Sequence, residues 1–149
     1  MTGSVFVDTN VLVYARDASE PEKQPRALAW MDWLWSQQSG RLSTLVLQEY
    51  YQTVTRKLKP GLDSDIARAD IRDLAAWNPI TINHPVLERA WKLEDRYQLS
   101  WWDSLILAAA CQAGCDIVLT EDLATGQRID TVQIVNPFHT PPPDQQNPR

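Results

Sequence analysis

The amino-acid sequence predicts an α/β fold in which helices pack around a mainly parallel sheet. Short apolar runs rich in β-branched residues alternate with longer helical segments along the whole chain, which is the order expected of parallel sheets. The length of 149 residues suits one domain that buries a core without disulfides or a structural metal. Apolar residues make up 44% and charged residues 22%, close to the globular average, which argues against wholesale disorder.

Five short segments are predicted to be strands. Residues 4–7 and 116–119 are apolar, β-branched runs that stop at polar turn residues, as buried strands do. Residues 41–43 are a very short candidate strand, residues 80–82 a candidate edge strand, and residues 132–135 the last strand. Because helical segments separate these runs, we expect a mainly parallel sheet.

Six segments are predicted to be helices, and polar caps, prolines or glycines mark their ends. The predicted helices cover residues 11–16, 20–39, 45–59, 64–77, 84–97 and 100–113. Ser43 or Thr44 can cap the third helix. Pro60-Gly61 ends that helix, and Gly114 closes the last one.

The chain is predicted to hold one domain, residues 1–138, without an internal repeat or an interdomain linker. Residues 139–149 include three successive prolines and no core residues. We therefore expect this segment to be a Pro-rich, disordered tail.

Charge and hydropathy limit the classes of function. The chain has 19 acidic residues against 14 Lys and Arg, a formal charge of -5 and a pI near 4.9. This excludes a basic protein that binds nucleic acid by bulk charge, although a local site can still accept nucleic acid as a substrate. No apolar run is long enough for a membrane span or a signal peptide. Cys111 and Cys115 are interpreted as small reduced thiols, and we expect a cytoplasmic protein.

Acidic residues follow both buried strands where each strand ends. Asp8 comes directly after residues 4–7, and Glu121 and Asp122 follow Thr120 after residues 116–119. Ligand sites of open parallel sheets lie beyond the carboxyl ends of the strands, so Asp8 and Asp122 meet if these strands are neighbours. Asp is also a good turn former, so the residues alone leave a catalytic and a turn-forming role open.

Two helical acids are further candidates. Asp103 lies near the start of a helix that is apolar nearly all round, where it approximates a capping box with Ser100 and also suits a site. Glu49 lies off the apolar stripe of its helix, beside Gln52 and Arg56. The residue pattern alone therefore predicts a solvated Glu49 side chain.

Converging carboxylates repel one another unless some stay protonated or a cation binds between them. Carboxylates without His or Cys suit Mg²⁺ or Mn²⁺ rather than Zn²⁺. Such a cation can generate a hydroxide and stabilise the leaving oxygen of a phosphoryl displacement. The basic residues considered for holding phosphates are Arg16, Arg41, Arg56, Lys57 and Lys59.

Five pieces of the sequence, each weak alone, occur in a specific order and spacing. They are V-F-V-Asp8-Thr9-Asn10, Ser43-x5-Glu49, Trp102-Asp103-Ser104-x-Ile106-Leu107-Ala108-Ala109-Ala110, Leu119-Thr120-Glu121-Asp122-Leu123 and Ile134-Val135-Asn136-Pro137-Phe138. Through them the chain, from about residue 4 to 138, resembles a PIN-domain ribonuclease of the VapC toxin type.

The resemblance implies a PIN-like three-layer α/β/α sandwich around a mainly parallel sheet of about five strands. It implies a catalytic and metal-binding set of four acids, which makes Glu49 a site residue after all. Those acids are Asp8, Glu49, Asp103 and Asp122, and the supporting positions are Thr9, Asn10, Thr120 and Glu121. Which of Glu121 and Asp122 faces the metal is left open.

The same resemblance implies a Mg²⁺- or Mn²⁺-dependent endoribonuclease that hydrolyses RNA phosphodiester bonds with metal-activated water. Proteins of the VapC type are usually homodimeric toxins of VapBC toxin–antitoxin pairs, and a peptide of the antitoxin occupies the acidic groove. We expect an RNA substrate, a cognate antitoxin, no membrane contact and no DNA binding by the chain itself.

The same residues bear on three other classes of protein. A haloacid dehalogenase-type phosphatase needs a second Asp two residues after the first, where this chain has Asn10. A phosphorylated receiver domain needs an acidic pair at the first strand and a late Lys, and neither is in place. A PIN-like module that binds RNA or protein without cutting is the alternative, although four clustered carboxylates are costly without a metal.

Overall fold

The computed structural model describes residues 3–146. Its strands are β1 (Val5–Val7), β2 (Gly40–Arg41), β3 (Ile117–Leu119), β4 (Arg128–Ile129) and β5 (Val132–Val135). Its helices are α1 (Thr9–Ala15), α2 (Lys23–Gln37), α3 (Thr44–Gln52), α4 (Ser64–Leu74), α5 (His84–Tyr97) and α6 (Trp101–Gln112). A π-helical turn, Thr53–Lys57, follows α3, and single 3₁₀ turns cover Ala75–Trp77 and Pro143–Gln145.

The five strands form one sheet in the order β2-β1-β3-β5-β4. All neighbouring strands pair in parallel except β4, which pairs antiparallel with β5 at one edge. Val7 of β1 lies beside Leu119 of β3, and Leu119 lies beside Val135 of β5. The carboxyl ends of these three strands therefore meet at one edge of the sheet, and β1 and β3 are neighbours, which is the condition under which Asp8 and Asp122 were expected to meet.

The helices and the sheet form the predicted α/β sandwich. Helix α1 packs against α2 and α3, and α5 packs against α6. Every residue of β1 is fully buried, and the continuous run Ser104–Ala110 of α6 is buried as well. Helix α6 contacts β3, β5 and α5. A helix that is apolar nearly all round belongs inside the core, because any exposed face would leave apolar surface in water.

The structure differs from the sequence-based expectation at three short elements. Residues 80–82 do not form a strand, since only Ile80 makes an isolated parallel bridge to Ser43. Strand β4 was not predicted, because its two residues are too few to show a pattern. The helix expected over residues 45–59 changes at Thr53 into the π-helical turn.

The expectation of a disordered tail is wrong for residues 139–146. The Trp30 indole Nε1 donates a hydrogen bond to the Thr140 carbonyl oxygen at 2.8 Å, and Pro142 is buried. Composition favoured disorder, but a buried indole needs an acceptor, and this segment supplies it. Residues 147–149, the rest of the expected tail, lie outside the described residues.

The two cysteines are free thiols, as expected, with Cys115 buried and Cys111 partly buried. Burial raises the pKa of the Cys115 thiol to about 12. None of the helices in residues 3–146 has the length and apolar character needed to cross a membrane.

Candidate active site

Asp8 lies where β1 ends and caps the N-terminus of α1. Its side chain is only 7% exposed. The Thr9 backbone N–H donates to Asp8 Oδ1 at 2.7 Å, and the Thr120 hydroxyl donates to Asp8 Oδ2 at 2.8 Å. Thr120 follows β3, the parallel neighbour of β1, so the pairing of the two strands brings the donor to Oδ2.

The environment of Asp8 disfavours its ionised form. Burial removes water from the carboxylate, and this outweighs the hydrogen bonds from Thr120 and Thr9, which favour the charge. The negative charges of Asp122 and Glu49 act in the same direction as burial. Together they raise the pKa of Asp8 from 3.8 to about 6.

Glu49 faces the same region from α3. The Thr9 hydroxyl donates to Glu49 Oε1 at 2.9 Å, and the side chain is partly buried. The solvated side chain expected from the residue pattern is therefore wrong. Val46 and Tyr50 direct the buried face of α3 into the core, and Glu49 lies at the border of that face, where α1 covers it.

Asp122, rather than Glu121, faces the other acids. The Asn10 side-chain amide donates to Asp122 Oδ2 at 3.1 Å, which joins the end of β3 to α1. Burial raises the pKa of Asp122, and the charges of Asp103 and Glu121 add to this effect. Glu121 instead pairs with Lys23 Nζ at 2.9 Å.

Asp103 occupies the first turn of α6, where the predicted cap is present. Ser100 is the N-cap residue, and its hydroxyl oxygen accepts the Asp103 backbone N–H at 3.1 Å. A carboxylate in the first turn also suits the positive end of the helix dipole. The cap therefore fixes the backbone that carries Asp103, and the side chain remains partly exposed.

The four predicted acids line one cleft of about 380 Å³ at the carboxyl edge of the sheet. A fifth acid, Asp17, also lines this cleft. It was not singled out from the sequence, because it lies in a polar turn after α1 where Asp is common. Of the four supporting positions, Thr9 and Asn10 line the cleft, Thr120 bonds to Asp8, and Glu121 is turned toward Lys23.

The basic residues considered for holding phosphates do not line this cleft. Arg16 is committed elsewhere, because its guanidinium forms an ion pair with Asp70 at 2.7 Å. Arg56 and Lys57 are exposed in the π-helical turn Thr53–Lys57. In that turn Thr53, but neither basic residue, lines the cleft.

The donor set of the cleft matches a hard divalent cation. It consists of carboxylate oxygens, one amide and the hydroxyls of Thr9, Tyr14 and Thr53, and the Asn10 Oδ1 atom is buried without a hydrogen-bond partner. Oxygen ligands of this kind suit Mg²⁺ or Mn²⁺. Within residues 3–146, however, no three His, Cys, Asp or Glu side chains form a ready-made metal site, so the carboxylates would have to rearrange around a cation.

A family model described as the PIN domain matches residues 5–127. The chain belongs to the PIN domain family. The matched range contains all four predicted acids of the cleft. Among curated proteins, no sequence relative is matched.

Several solved structures share the PIN fold with this chain. VapC20 of Mycobacterium tuberculosis, described as a Sarcin-Ricin loop cleaving toxin, is 22% identical, with a TM-score of 0.61 over 80% of this chain and 92% of that one. A toxin–antitoxin complex from Klebsiella pneumoniae is 20% identical, with a TM-score of 0.63 over 90% and 98%. DNA-bound VapBC of Salmonella typhimurium is 16% identical, with a TM-score of 0.59 over 88% and 96%. At these identities the PIN fold is what the likeness shows.

Proposed function

We propose that this PIN domain protein is a metal-dependent endoribonuclease that hydrolyses RNA phosphodiester bonds. The observation that carries the proposal is the cleft, in which four acids from four separate elements converge although ionised carboxylates repel one another. Burial is the main cause of the raised pKa of Asp8, and the charges of Asp122 and Glu49 add to it. A fold that keeps such a cluster at the ligand-binding edge of its sheet is suited to hold cations there.

The residues of the cleft hold one another in place before any ligand binds. Thr9 donates to both Asp8 and Glu49, through its backbone N–H and its hydroxyl respectively. Asn10 orients Asp122 from the next position of α1. The start of one short helix therefore holds three of the four carboxylates at the cleft, which limits the rearrangement that cation binding requires.

Asp8, Glu49, Asp103 and Asp122 would hold Mg²⁺ or Mn²⁺ in this cleft. The bound cation supplies an activated water nucleophile and stabilises the leaving oxygen of the displacement. Cation binding would also reduce the net negative charge of the protein, because two divalent ions would change the formal charge from -5 to about -1. An RNA strand then approaches a surface that repels it much less.

We extend the proposal to the toxin of a VapBC-type pair. Two observations support this extension: the PIN domain match and the likeness to VapC20 and to two toxin–antitoxin assemblies. In this proposal the partner is a cognate antitoxin, the chain forms a homodimer in the cytoplasm, and the chain does not bind DNA by itself.

A PIN-like module that binds RNA or protein without cutting is the second candidate. It is favoured by one observation, namely that the described acids do not form a ready-made metal site. The two candidates differ in whether the carboxylates act on RNA, which a cleavage assay measures directly.

The test is RNA cleavage by purified protein in Mg²⁺, in Mn²⁺ and in EDTA. Asp8→Asn is nearly isosteric and removes one ligand charge, so we expect it to abolish the metal-dependent cleavage. Asp95→Asn, an exposed residue of α5, makes the same chemical change outside the cleft and should cut as the wild type does. Cleavage by Asp8→Asn at the wild-type rate would show that Asp8 is not in the site. Absence of cleavage by the wild type would favour the binding module.

A further inference from the structure

Trp102 is presented to the cleft rather than packed into the core. It is 59% exposed, the largest exposed fraction among the large apolar side chains of residues 3–146. Its neighbour Trp101 is partly buried and stacks on Trp91, with ring centroids 6.3 Å apart and planes inclined by 23°. Trp102 instead lines the cleft next to Asp103. The core therefore accounts for the first of these two tryptophans and leaves the second without a packing role.

Within the described part of the chain, the cleft lacks basic side chains that could bind a nucleic acid, and an aromatic side chain can supply a different contact. Five carboxylates line it, and no Lys or Arg of the described residues does. Contacts between basic side chains and phosphates usually supply most of the affinity for nucleic acid. They are missing from the immediate walls of this cleft, so a strand held here needs contacts that do not depend on side-chain positive charge.

An indole beside apolar walls offers such a contact. Val13 and Ile106 line the same cleft as Trp102 and make part of its surface apolar. Aromatic side chains stack on nucleobases, and every base has a face that can accept an aromatic ring. Only an unpaired base exposes that face, because bases within a duplex are already stacked on their neighbours.

We propose that Trp102 binds the substrate by stacking its indole on an unpaired base of single-stranded RNA next to the bond to be cleaved. This inference rests on the proposed ribonuclease function and assigns Trp102 a role in holding the substrate of that site. Trp102 and Asp103 are adjacent in the first turn of α6. The same turn therefore sets the positions of the stacked base and of one carboxylate.

The experiment measures binding of a fluorescein-labelled oligouridine by fluorescence anisotropy, with Ca²⁺ replacing Mg²⁺ and Mn²⁺ and the strand checked for cleavage on a gel. Trp102→Ala should weaken binding about 10-fold, because loss of one base stack is worth on the order of a factor of ten or more. Trp102→Phe keeps an aromatic ring and should restore most of the affinity. Trp35→Ala removes a tryptophan that is 41% exposed on α2, outside the cleft, and should bind as the wild type does.

A second probe separates stacking from a merely structural effect. An oligonucleotide of the same length without bases keeps the charges and lacks the stacking partner, so wild type and Trp102→Ala should bind it equally. For the oligouridine, the two proteins should also show the same slope of log Kd against log salt, because no charge contact is lost.

Two outcomes would overturn the inference alone. One is unchanged oligouridine binding by Trp102→Ala, and the other is an equal loss on both probes, in either case with Asp8-dependent cleavage intact. If the wild type neither binds nor cuts RNA, the proposed function fails and this inference fails with it.

Discussion

Asp8 is the most buried of the four predicted acids of the cleft. Its carboxylate accepts hydrogen bonds from Thr9 and Thr120, which lower its pKa, and it is almost completely buried, which raises its pKa. The effect of burial is larger, so the pKa of the carboxyl rises to about 6. A carboxylate held this way carries a cost in folding free energy when it ionises without a cation. Such a cost is expected where a residue is kept for binding a cation rather than for stability, as the proposed function requires.

We expect the stability of the protein to fall relative to Asp8→Asn as the pH rises from about 4 to about 7 in EDTA. The folded state binds the Asp8 proton more tightly than the unfolded state, whose pKa is near 3.8, so the unfolded state ionises first. The difference between 3.8 and about 6 corresponds to about 3 kcal/mol, which should separate the two proteins above pH 6. Urea unfolding across this pH range measures it, and Asp95→Asn should track the wild type. A constant difference between wild type and Asp8→Asn would contradict the raised pKa.

The residues of the site differ in how far the sequence could predict them. Asp8 and Asp122 are candidates from local pattern, because strand ends are visible in sequence, whereas the pairing of β1 with β3 is visible only in the structure. Glu49 was placed only by family resemblance, since its partner Thr9 lies 40 positions away. The choice between Glu121 and Asp122 depends on Lys23, which is 98 positions from Glu121. Long-range partners of this kind leave no local signal.

Helix α6 is the element that places both Asp103 and Trp102. Its start is fixed by Ser100, which accepts the Asp103 N–H, and its remaining length is clamped in the core. The core holds the rest of the helix in position. A substitution in its first turn should therefore affect mainly the residues that face the cleft.

Ser100→Ala should lower the free energy of unfolding by about 1 kcal/mol, the usual effect of losing an N-cap acceptor. Ser100 is exposed, so the change opens no cavity. Ser100→Asp keeps an acceptor and should retain most of the stability. Urea unfolding of the three proteins measures this, and an Ala variant as stable as the wild type would show that the cap contributes little.

Elements were predicted well where a pattern ran over several residues, and poorly where it did not. The helices carry caps and several turns of periodic residues, so their existence was predictable. Strand β4 has two residues, and its position is set by pairing with β5 rather than by its own sequence. The segment 80–82 has strand-like residues, yet only Ile80 forms a β-bridge. Tertiary pairing decided both cases.

At the scale of the whole molecule, the fold brings together acids that are far apart in the chain, and cation binding should therefore stabilise the native state alone. At a Mn²⁺ concentration about 100 times Kd, binding contributes about 2.7 kcal/mol, or a rise in Tm of several degrees for a chain of this size. Thermal unfolding with Mn²⁺ and with EDTA measures the shift. Asp95→Asn should show the full shift and Asp8→Asn a smaller one. An unchanged Tm of the wild type at millimolar Mn²⁺ would argue against a working metal site.

The contact between Trp30 and Thr140 moves the C-terminal boundary of the folded domain beyond residue 138. A boundary drawn at residue 138, as composition suggests, would remove the acceptor of a buried indole and uncover Pro142's packing site near α2. An unpartnered buried donor costs about 1–3 kcal/mol, a sizeable share of the stability of one domain. Shortened or tagged forms of the protein should therefore keep the chain at least through Pro142, and a fusion partner is better joined beyond it.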